Sequence, residues 1–126
     1  MAGLNSFRDV IEDTFYNDIF NALSAFIEDN PSRLESNSYR VQSPDEAALS
    51  DFKIQFVDIT ESEEDGVFFD VVVSAEVEIA ETVRRTRETD GIEQWFQVSC
   101  TAELEDGIQD FRISGIQVYS KNRRSK

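Results

Sequence analysis

The sequence predicts an α+β domain in which one long N-terminal helix packs on one face of a four- to five-stranded antiparallel meander sheet. Three observations lead to this prediction. Residues 67–81 alternate apolar and polar side chains over about thirteen positions, the period of a strand with one buried face. Residues 5–28 repeat apolar side chains every three or four positions, as an amphipathic helix does. Short turn sequences separate the later apolar segments, and such turns join antiparallel strands.

The predicted helix covers residues 5–28. Ser6 can cap its first turn, and Asp9 stands where a capping box has its acid. The apolar stripe consists of Phe7, Ile11, Phe15, Ile19, Leu23 and Phe26. This stripe is wider than a coiled-coil seam, so it suits packing on a sheet. Pro31 disfavours helical geometry at Asn30, which ends the helix.

Residues 31–50 have the least regular pattern in the chain. Apolar and polar residues alternate over residues 39–42, which could form a short edge strand. Residues 43–46 read Ser-Pro-Asp-Glu, which resembles a helix cap, a first-turn proline and two acids near the positive end of a helix dipole. This pattern predicts a short helical turn through Leu49.

The rest of the chain predicts the meander. Apolar residues alternate around positions 52–59, 67–81, 96–104 and 111–118, with turns at 61–66 and 105–107 and a polar hairpin tip at 84–90 closed by Asp90-Gly91. Changes in the apolar phase near Phe56 and at Ser114-Gly115 predict β-bulges. The other strand faces are polar, so one side of the sheet is expected to be covered. This order of elements resembles a cystatin-like or NTF2-like roll, an analogy that carries no function.

Length and composition predict a single domain. The chain has 126 residues, of which 1–120 are expected to form the domain and 121–126 a basic polar tail or the start of a linker. One cysteine allows no internal disulfide, and the sequence has no apolar run that could span a membrane and no signal-peptide pattern. These features predict a soluble, cytoplasmic protein.

The charge is strongly acidic. The formal net charge is −14, and residues 1–66 contain 15 acids and 4 bases. Such a field repels phosphate backbones and anionic lipids, so we expect neither nucleic-acid nor membrane binding. It suits a well-solvated surface, a basic protein partner, or mimicry of a nucleic acid.

The residue types exclude most catalytic chemistry, and we expect no enzyme activity, metal or cofactor. The chain has no histidine, so His-based zinc sites and Ser-His-Asp triads cannot form. Acids crowd residues 61–65, but they lack the EF-hand spacing and are expected to be solvated. Cys100 lies on the predicted inner face, where a thiol acts as a small hydrophobic residue.

A basic cluster at the hairpin tip is the first candidate contact site. Arg84, Arg85 and Arg87 are concentrated in an otherwise acidic chain. They could bind a carboxylate or phosphate on a partner. Alternatively they balance acids across the hairpin, where exposed ion pairs contribute little stability. The acids available for this are Glu81, Glu88 and Glu93.

Trp95 is the second candidate contact residue. It falls on the polar side of its strand, where it could serve as an exposed recognition residue. It could equally cover a sheet edge or pair across strands with Val83 or a neighbour.

Three short segments carry a family resemblance. Residues 95–101 (WFQVSCT), residues 110–113 (DFRI) and residues 6–9 (SFRD) resemble N-terminal regions of some ImmA/IrrE-type metallopeptidases of gut Firmicutes. That family has its zinc site on an H-E-x-x-H helix in a later domain, so no catalytic residue transfers to this histidine-free chain. The resemblance implies an accessory domain whose basic tail leads into a downstream domain.

These observations favour a non-catalytic accessory or interaction domain that is protein-binding or regulatory. Its expected partner is another protein or an attached downstream domain. Two alternatives stay open. A small-molecule-binding domain of the NTF2-like kind needs a pocket between helix and sheet. An acidic DNA mimic needs its carboxylates arranged on one surface as phosphates are.

Overall fold

The computed structural model describes residues 3–35, 38–64, 66–103 and 109–119, with side chains from residue 8 onward. Within these residues, helix α1 (Gly3–Asp29) and a 3-10 turn (Pro31–Arg33) precede strands β1 (Glu46–Ser62), β2 (Gly66–Val83), β3 (Thr86–Glu103) and β4 (Gln109–Val118). The strands form one antiparallel sheet in chain order. This confirms the predicted α+β fold of one long helix on a four-stranded meander. No helix in this part of the chain is long and apolar enough to cross a membrane.

The inner face of the sheet, which faces α1, is centred on β2. Its alternate residues from Val67 to Ile79 are at most 2% exposed. β3 adds a second buried row on the same face, made of Phe96, Val98, Cys100 and Ala102. Each buried Phe, Ile or Leu contributes roughly 1.5–3 kcal/mol. The period-two pattern of β2 therefore becomes the floor of the core.

Helix α1 covers this floor with a stripe of buried aliphatic residues flanked by aromatic rings. The buried members are Ile11, Ile19, Leu23 and Ile27. Phe15 stacks on Phe111 of β4, with ring centroids 4.2 Å apart. Tyr16 stacks on Phe52 of β1 at 4.5 Å. The aromatic side chains of the helix thus reach both edge strands of the sheet.

The start of the helix differs from the prediction. α1 begins at Gly3, so Ser6 lies inside the helix and the predicted cap at this residue is wrong. Arg8, in the first part of the helix, donates from Nη2 to the Ile54 carbonyl at 2.6 Å. Ile54 stands at a register shift before Phe56, which confirms the predicted bulge there. A charged donor at this edge satisfies a carbonyl beside the interrupted ladder.

The segment between the helix and β1 contradicts both local predictions. Residues 39–42 form bends rather than a strand, and β1 already begins at Glu46, where a helical turn was expected. Asp45 accounts for this difference, because its amide donates to the Ala80 carbonyl at 2.9 Å and its carboxylate accepts from the Thr82 amide at 3.0 Å. Pairing with β2 overrides the local helix-start signal.

The same segment closes the core at the hairpin end of the sheet. Leu34 and Val41 are buried in the main hydrophobic cluster. The Glu35 amide donates to Gln94 Oε1 at 2.7 Å, and Ser38 Oγ donates to Asp90 Oδ2 at 2.6 Å. The pKa of the Asp90 carboxyl group is lowered. The hydrogen bond from Ser38 contributes most, followed by the hydrogen bond from the Gly91 amide and the charge of Arg40.

A second register shift, between Ser99 and Cys100 of β3 opposite Ser114 of β4, confirms the bulge predicted there. The predicted turn at 105–107 and the position of Leu104 lie outside the described residues.

Truncating the helix stripe should destabilise the domain. Leu23 is fully buried at the helix–sheet contact. Leu23→Ala is expected to lower the free energy of unfolding by about 2–5 kcal/mol, because it leaves a cavity. Asn21→Ala, at an exposed helix position two residues earlier, should change it by less than about 0.5 kcal/mol. Urea denaturation measures both values. Equal effects of the two variants would contradict the described packing of α1.

Candidate partner-binding surface

The outer face of the sheet, opposite α1, carries a cluster of aromatic residues that we call the aromatic belt: Phe56, Trp95 and Tyr119. Trp95 stacks on Tyr119 with ring centroids 6.1 Å apart, and Phe56 meets Tyr119 edge-on at 6.3 Å. Phe56 belongs to β1, and Tyr119 directly follows β4. Side chains from the two sheet edges therefore meet over the middle strands.

The belt covers residues that the sequence pattern assigned to the polar side. Val72 is only 2% exposed, and it pairs with Phe56 on one side and Gln97 on the other. Ser74 is also buried, and its hydroxyl accepts from Gln55 Nε2 at 2.8 Å. The belt itself stays partly open to solvent, since Phe56 is 37% exposed.

Carboxylates lie on the same face between the belt and the hairpin tip. Glu76 of β2 pairs directly with Glu93 of β3, and Glu78 pairs with Gly91. A groove of about 310 Å³ lies among them, and we call it the acidic groove. A Cβ added at Gly91 would meet no described atom within 4 Å. Like charges directly opposite each other destabilise a sheet, so a cation in this groove would relieve repulsion.

Asp51 extends the acidic row to β1 but is already engaged. It pairs with Glu76 in the register. Its carboxylate accepts from the Tyr16 hydroxyl at 3.1 Å and from the Phe52 amide at 2.9 Å. Burial, followed by this hydrogen bond, raises the pKa of Tyr16. Asp51 therefore connects the sheet to α1, and the acidic groove depends mainly on the glutamates.

The hairpin tip is shorter than predicted. β2 runs through Val83 and β3 begins at Thr86, so the turn consists of Arg84 and Arg85 alone. Both have positive φ, 53° and 72°, the conformation that a tight hairpin turn requires. The prediction of a tip at 84–90 is wrong, because strand pairing continues through that region.

The Asp90-Gly91 pair lies within β3 rather than in a turn. Asp90 is opposite Ile79, and Gly91 is opposite Glu78. Arg87 forms an ion pair with Glu46 of β1. It therefore balances an acid, as the second alternative predicted, but this acid is not Glu81, Glu88 or Glu93.

The four predicted contact residues do not form one site. Trp95 is paired with Ser74, while the arginine turn follows Val83, nine residues further along β2. Nine residues of strand span roughly 30 Å. Trp95 therefore belongs to the aromatic belt, and Arg84 and Arg85 form a separate exposed tip.

The Cys100 thiol is not suited to act as a nucleophile. It is buried on the inner face, and burial, with a smaller contribution from Asp70, raises its pKa to about 12. Such a thiol is not a nucleophile at neutral pH. Among the described residues, no group of three or more acids and cysteines is arranged to hold a metal ion.

Sequence reasoning missed Phe56 and Tyr119 as surface residues. The sequence pattern marks Phe56 only as the place of a bulge, and the bulge is what turns its ring to the outer face. Tyr119 follows Val118, whose partner Phe96 is buried, so alternation alone places Tyr119 outward. Its stacking on Trp95 depends on the pairing register, which the pattern does not provide.

Comparison with known proteins gives no relative. No family model, no curated protein and no solved structure matches the chain. The roll analogy and the ImmA/IrrE resemblance therefore stay predictions, and functional inference rests on the surfaces described above.

Replacing the arginine turn should stabilise the hairpin. Arg84→Asn combined with Arg85→Gly is expected to raise the free energy of unfolding by about 1–2 kcal/mol, since these residues adopt positive φ with less strain. The double lysine variant, Arg84→Lys with Arg85→Lys, keeps the charge and the Cβ and should show no gain. Thermal and urea unfolding compare the two. An equal gain in both variants would contradict the account, because the lysine variant keeps the strained residues at positive φ.

Proposed function

We propose that this chain is a non-catalytic interaction domain that binds a basic protein segment on the outer face of its sheet. One observation carries the proposal: the aromatic belt and the acidic groove are contiguous on that face. Trp95 and Glu93 are two residues apart on β3 and point to the same side, roughly 7 Å from each other. Apolar and cation-binding groups are therefore within reach of a single short segment.

The belt supplies the apolar part of such a contact. Tryptophan and tyrosine are enriched among the residues that contribute most binding energy at protein interfaces. Phe56 and Tyr119 are held by mutual ring contacts, so little side-chain freedom is lost when a partner covers them.

The groove supplies charge complementarity. Lys or Arg side chains over Glu76 and Glu93 would offset the repulsion between these paired carboxylates. The net charge of −14 also attracts a basic partner over long range and speeds association. The proposed partner segment therefore combines apolar residues with lysine or arginine.

The packing between helix and sheet favours this role over that of an NTF2-like ligand-binding domain. Stacked rings fill this interface at both edges of the sheet, as in Phe15 with Phe111 and Tyr16 with Phe52. The grooves around the sheet are open, and the acidic groove lies on the opposite face from α1.

The distribution of acids also favours interaction over DNA mimicry. Exposed carboxylates occur on the outer side of α1, as at Asp13 and Asp18, and on the outer face of the sheet, as at Glu76 and Glu78. These two surfaces face opposite directions. A mimic needs its charges in rows on one surface.

A regulatory role beside a downstream peptidase domain is part of the same proposal and is supported by the resemblance of residues 95–101 and 110–113. A cytoplasmic location also belongs to it, and the single cysteine supports a reducing compartment.

A peptide display library screened against the chain tests the proposal. Enriched peptides should combine basic with aliphatic or aromatic residues. Phe56→Ser and the double variant Glu76→Gln with Glu93→Gln should each weaken their binding at least about tenfold. Ile59→Ser is the matched control, because Ile59 is a more exposed apolar residue of β1 outside the belt.

Two outcomes would contradict the proposal. Enrichment of acidic peptides whose binding depends on Arg84 and Arg85 would move the site to the hairpin tip. Equal loss in Phe56→Ser and Ile59→Ser would show that the belt is not a specific contact surface.

A further inference from the structure

The arginine turn, Arg84 and Arg85, carries two cations that no described residue neutralises. Both side chains are exposed, and neither guanidinium has a hydrogen bond or an ion pair within the described residues. Both residues also hold positive φ, which disfavours any residue with a Cβ. Backbone strain of this kind clusters at functional sites. The turn is therefore a candidate for binding an anionic group.

The acidic groove offers the complementary charge. Glu76 and Glu93, which we call the glutamate pair, are directly opposite each other on β2 and β3. Both are exposed, and neither accepts a hydrogen bond from another part of the described chain. Like charges in this position destabilise a sheet. Two guanidinium groups, one for each carboxylate, would remove that repulsion.

The arginine turn cannot reach the glutamate pair of its own sheet. Arg84 follows Glu76 by eight residues on β2, and Arg85 precedes Glu93 by eight residues on β3. The two strands stay paired over this whole stretch, so the hairpin is extended. Eight residues of strand span roughly 27 Å, far beyond the length of an arginine side chain. The two complementary groups can therefore meet only between two copies of the chain.

The register allows both contacts to form at once around a two-fold axis. Ala80 and Thr89 are partners in the register and lie midway between the glutamate pair and the arginine turn, four residues from each. Two copies can cross at this pair with their outer faces together and their strands antiparallel. Each arginine turn then lies over the glutamate pair of the other copy. Such a self-complementary contact is the commonest kind in protein dimers.

The residues near the axis permit the close approach that this arrangement needs. Ala80 and Thr89 have small side chains on the outer face, between the longer groups on either side. The next pair is Glu78 with Gly91, and a Cβ added at Gly91 would meet no described atom within 4 Å. In the two-fold arrangement, this open position faces Arg87 of the second copy. Glu78, which is also exposed, is then within reach of that guanidinium.

We propose that two copies of this chain associate through the outer faces of their β2–β3 hairpins, with the arginine turn of each copy bound to the glutamate pair of the other. The occupant of the acidic groove is thus a second copy. It is identified by charge complementarity, by the separation of the two groups along one hairpin, and by the midpoint that a two-fold axis requires.

The size and charge of the contact predict a weak dimer. The facing hairpins overlap over roughly 30 Å along the strands and only a few strands across, which is the small end of specific interfaces. Each copy has a formal net charge of −14. At physiological ionic strength, exposed charges more than about 8 Å apart are largely screened, whereas groups in contact are screened less. The distant acids therefore do not prevent association.

Association has a regulatory consequence, which rests on the proposed function. The second copy occupies the acidic groove, so it competes with a basic partner for the glutamate pair. Trp95 lies two residues beyond Glu93, past the stretch that the second copy covers, so the aromatic belt stays available. The affinity of a selected basic peptide should then fall as the concentration of the chain rises. Dimer formation itself does not depend on peptide binding.

Charge exchange between two variants tests the contact. Sedimentation equilibrium of the full chain at about 0.15 M ionic strength should give a dimer with a dissociation constant below about 1 mM. Arg84→Glu with Arg85→Glu, and separately Glu76→Arg with Glu93→Arg, should each weaken self-association at least about tenfold, since like charges then meet. An equal mixture of the two variants should associate again, because opposite charges meet at both contacts.

Two control variants separate this contact from effects of net charge and folding. Asp13→Arg with Asp18→Arg makes the same change of charge on the exposed side of α1 and should keep association. Arg84→Asn with Arg85→Gly, which is expected to stabilise the hairpin, should weaken association while urea denaturation shows an undiminished free energy of unfolding. Loss of association in this variant cannot then result from unfolding.

Two results would overturn the proposal. A chain that sediments as a monomer up to about 1 mM would leave the acidic groove to a foreign basic partner. A dimer that both charge-reversed variants still form, or that their mixture fails to restore, would place the contact on another surface. The display experiment can fail to enrich basic peptides while the mixture still associates, so the two proposals fail separately.

Discussion

The fold depends on burying the inner face of β2 under α1. The helix has 27 residues and is about 40 Å long, whereas the 18 residues of β2 extend about 60 Å. One helix therefore cannot cover the whole strand. The segment carrying Leu34 and Val41 supplies the missing cover at the hairpin end, and its hydrogen bonds to Gln94 and Asp90 hold it there.

The outer face is shaped by the same constraint, because α1 covers only the inner face of the sheet. With the single helix on the inner face, the sheet covers its other side with its own side chains. From Val71 to Ala75 every residue of β2 is buried, although alternate ones point away from the helix. The aromatic belt accounts for this, and beyond the belt the face changes to paired glutamates. An apolar surface next to an anionic one is the basis of the proposed partner recognition.

The sequence predicted the parts of the fold that depend on simple periods. Alternation in β2 and the helical stripe containing Ile19 and Leu23 sufficed for the architecture, because burial of one face determines both periods. Phase changes located both bulges. The segment before β1 was mispredicted, since Asp45 bonds to residues of β2 that are distant in sequence.

The candidate site was predictable only in part. The phase of the apolar pattern identifies Trp95, but its partner Tyr119 lies just after β4 and meets it only through the pairing register. The arginine tip was predicted too long because Asp90-Gly91 has the sequence of a turn. In the structure, the Asp90 carboxylate instead accepts from the Gly91 amide within β3.

Hydroxyl-radical footprinting of the free chain tests most directly whether the two faces of the sheet differ as described. Mass spectrometry should find strong oxidation at Phe56 and Phe68, which are 37% and 40% exposed, and little at Phe69 and Phe96 on the inner face. A bound basic peptide should protect Phe56 and leave Phe68 oxidised. Comparable oxidation of inner and outer rings in the free chain would contradict a sheet whose one face is closed by α1 and whose other face is open to a partner.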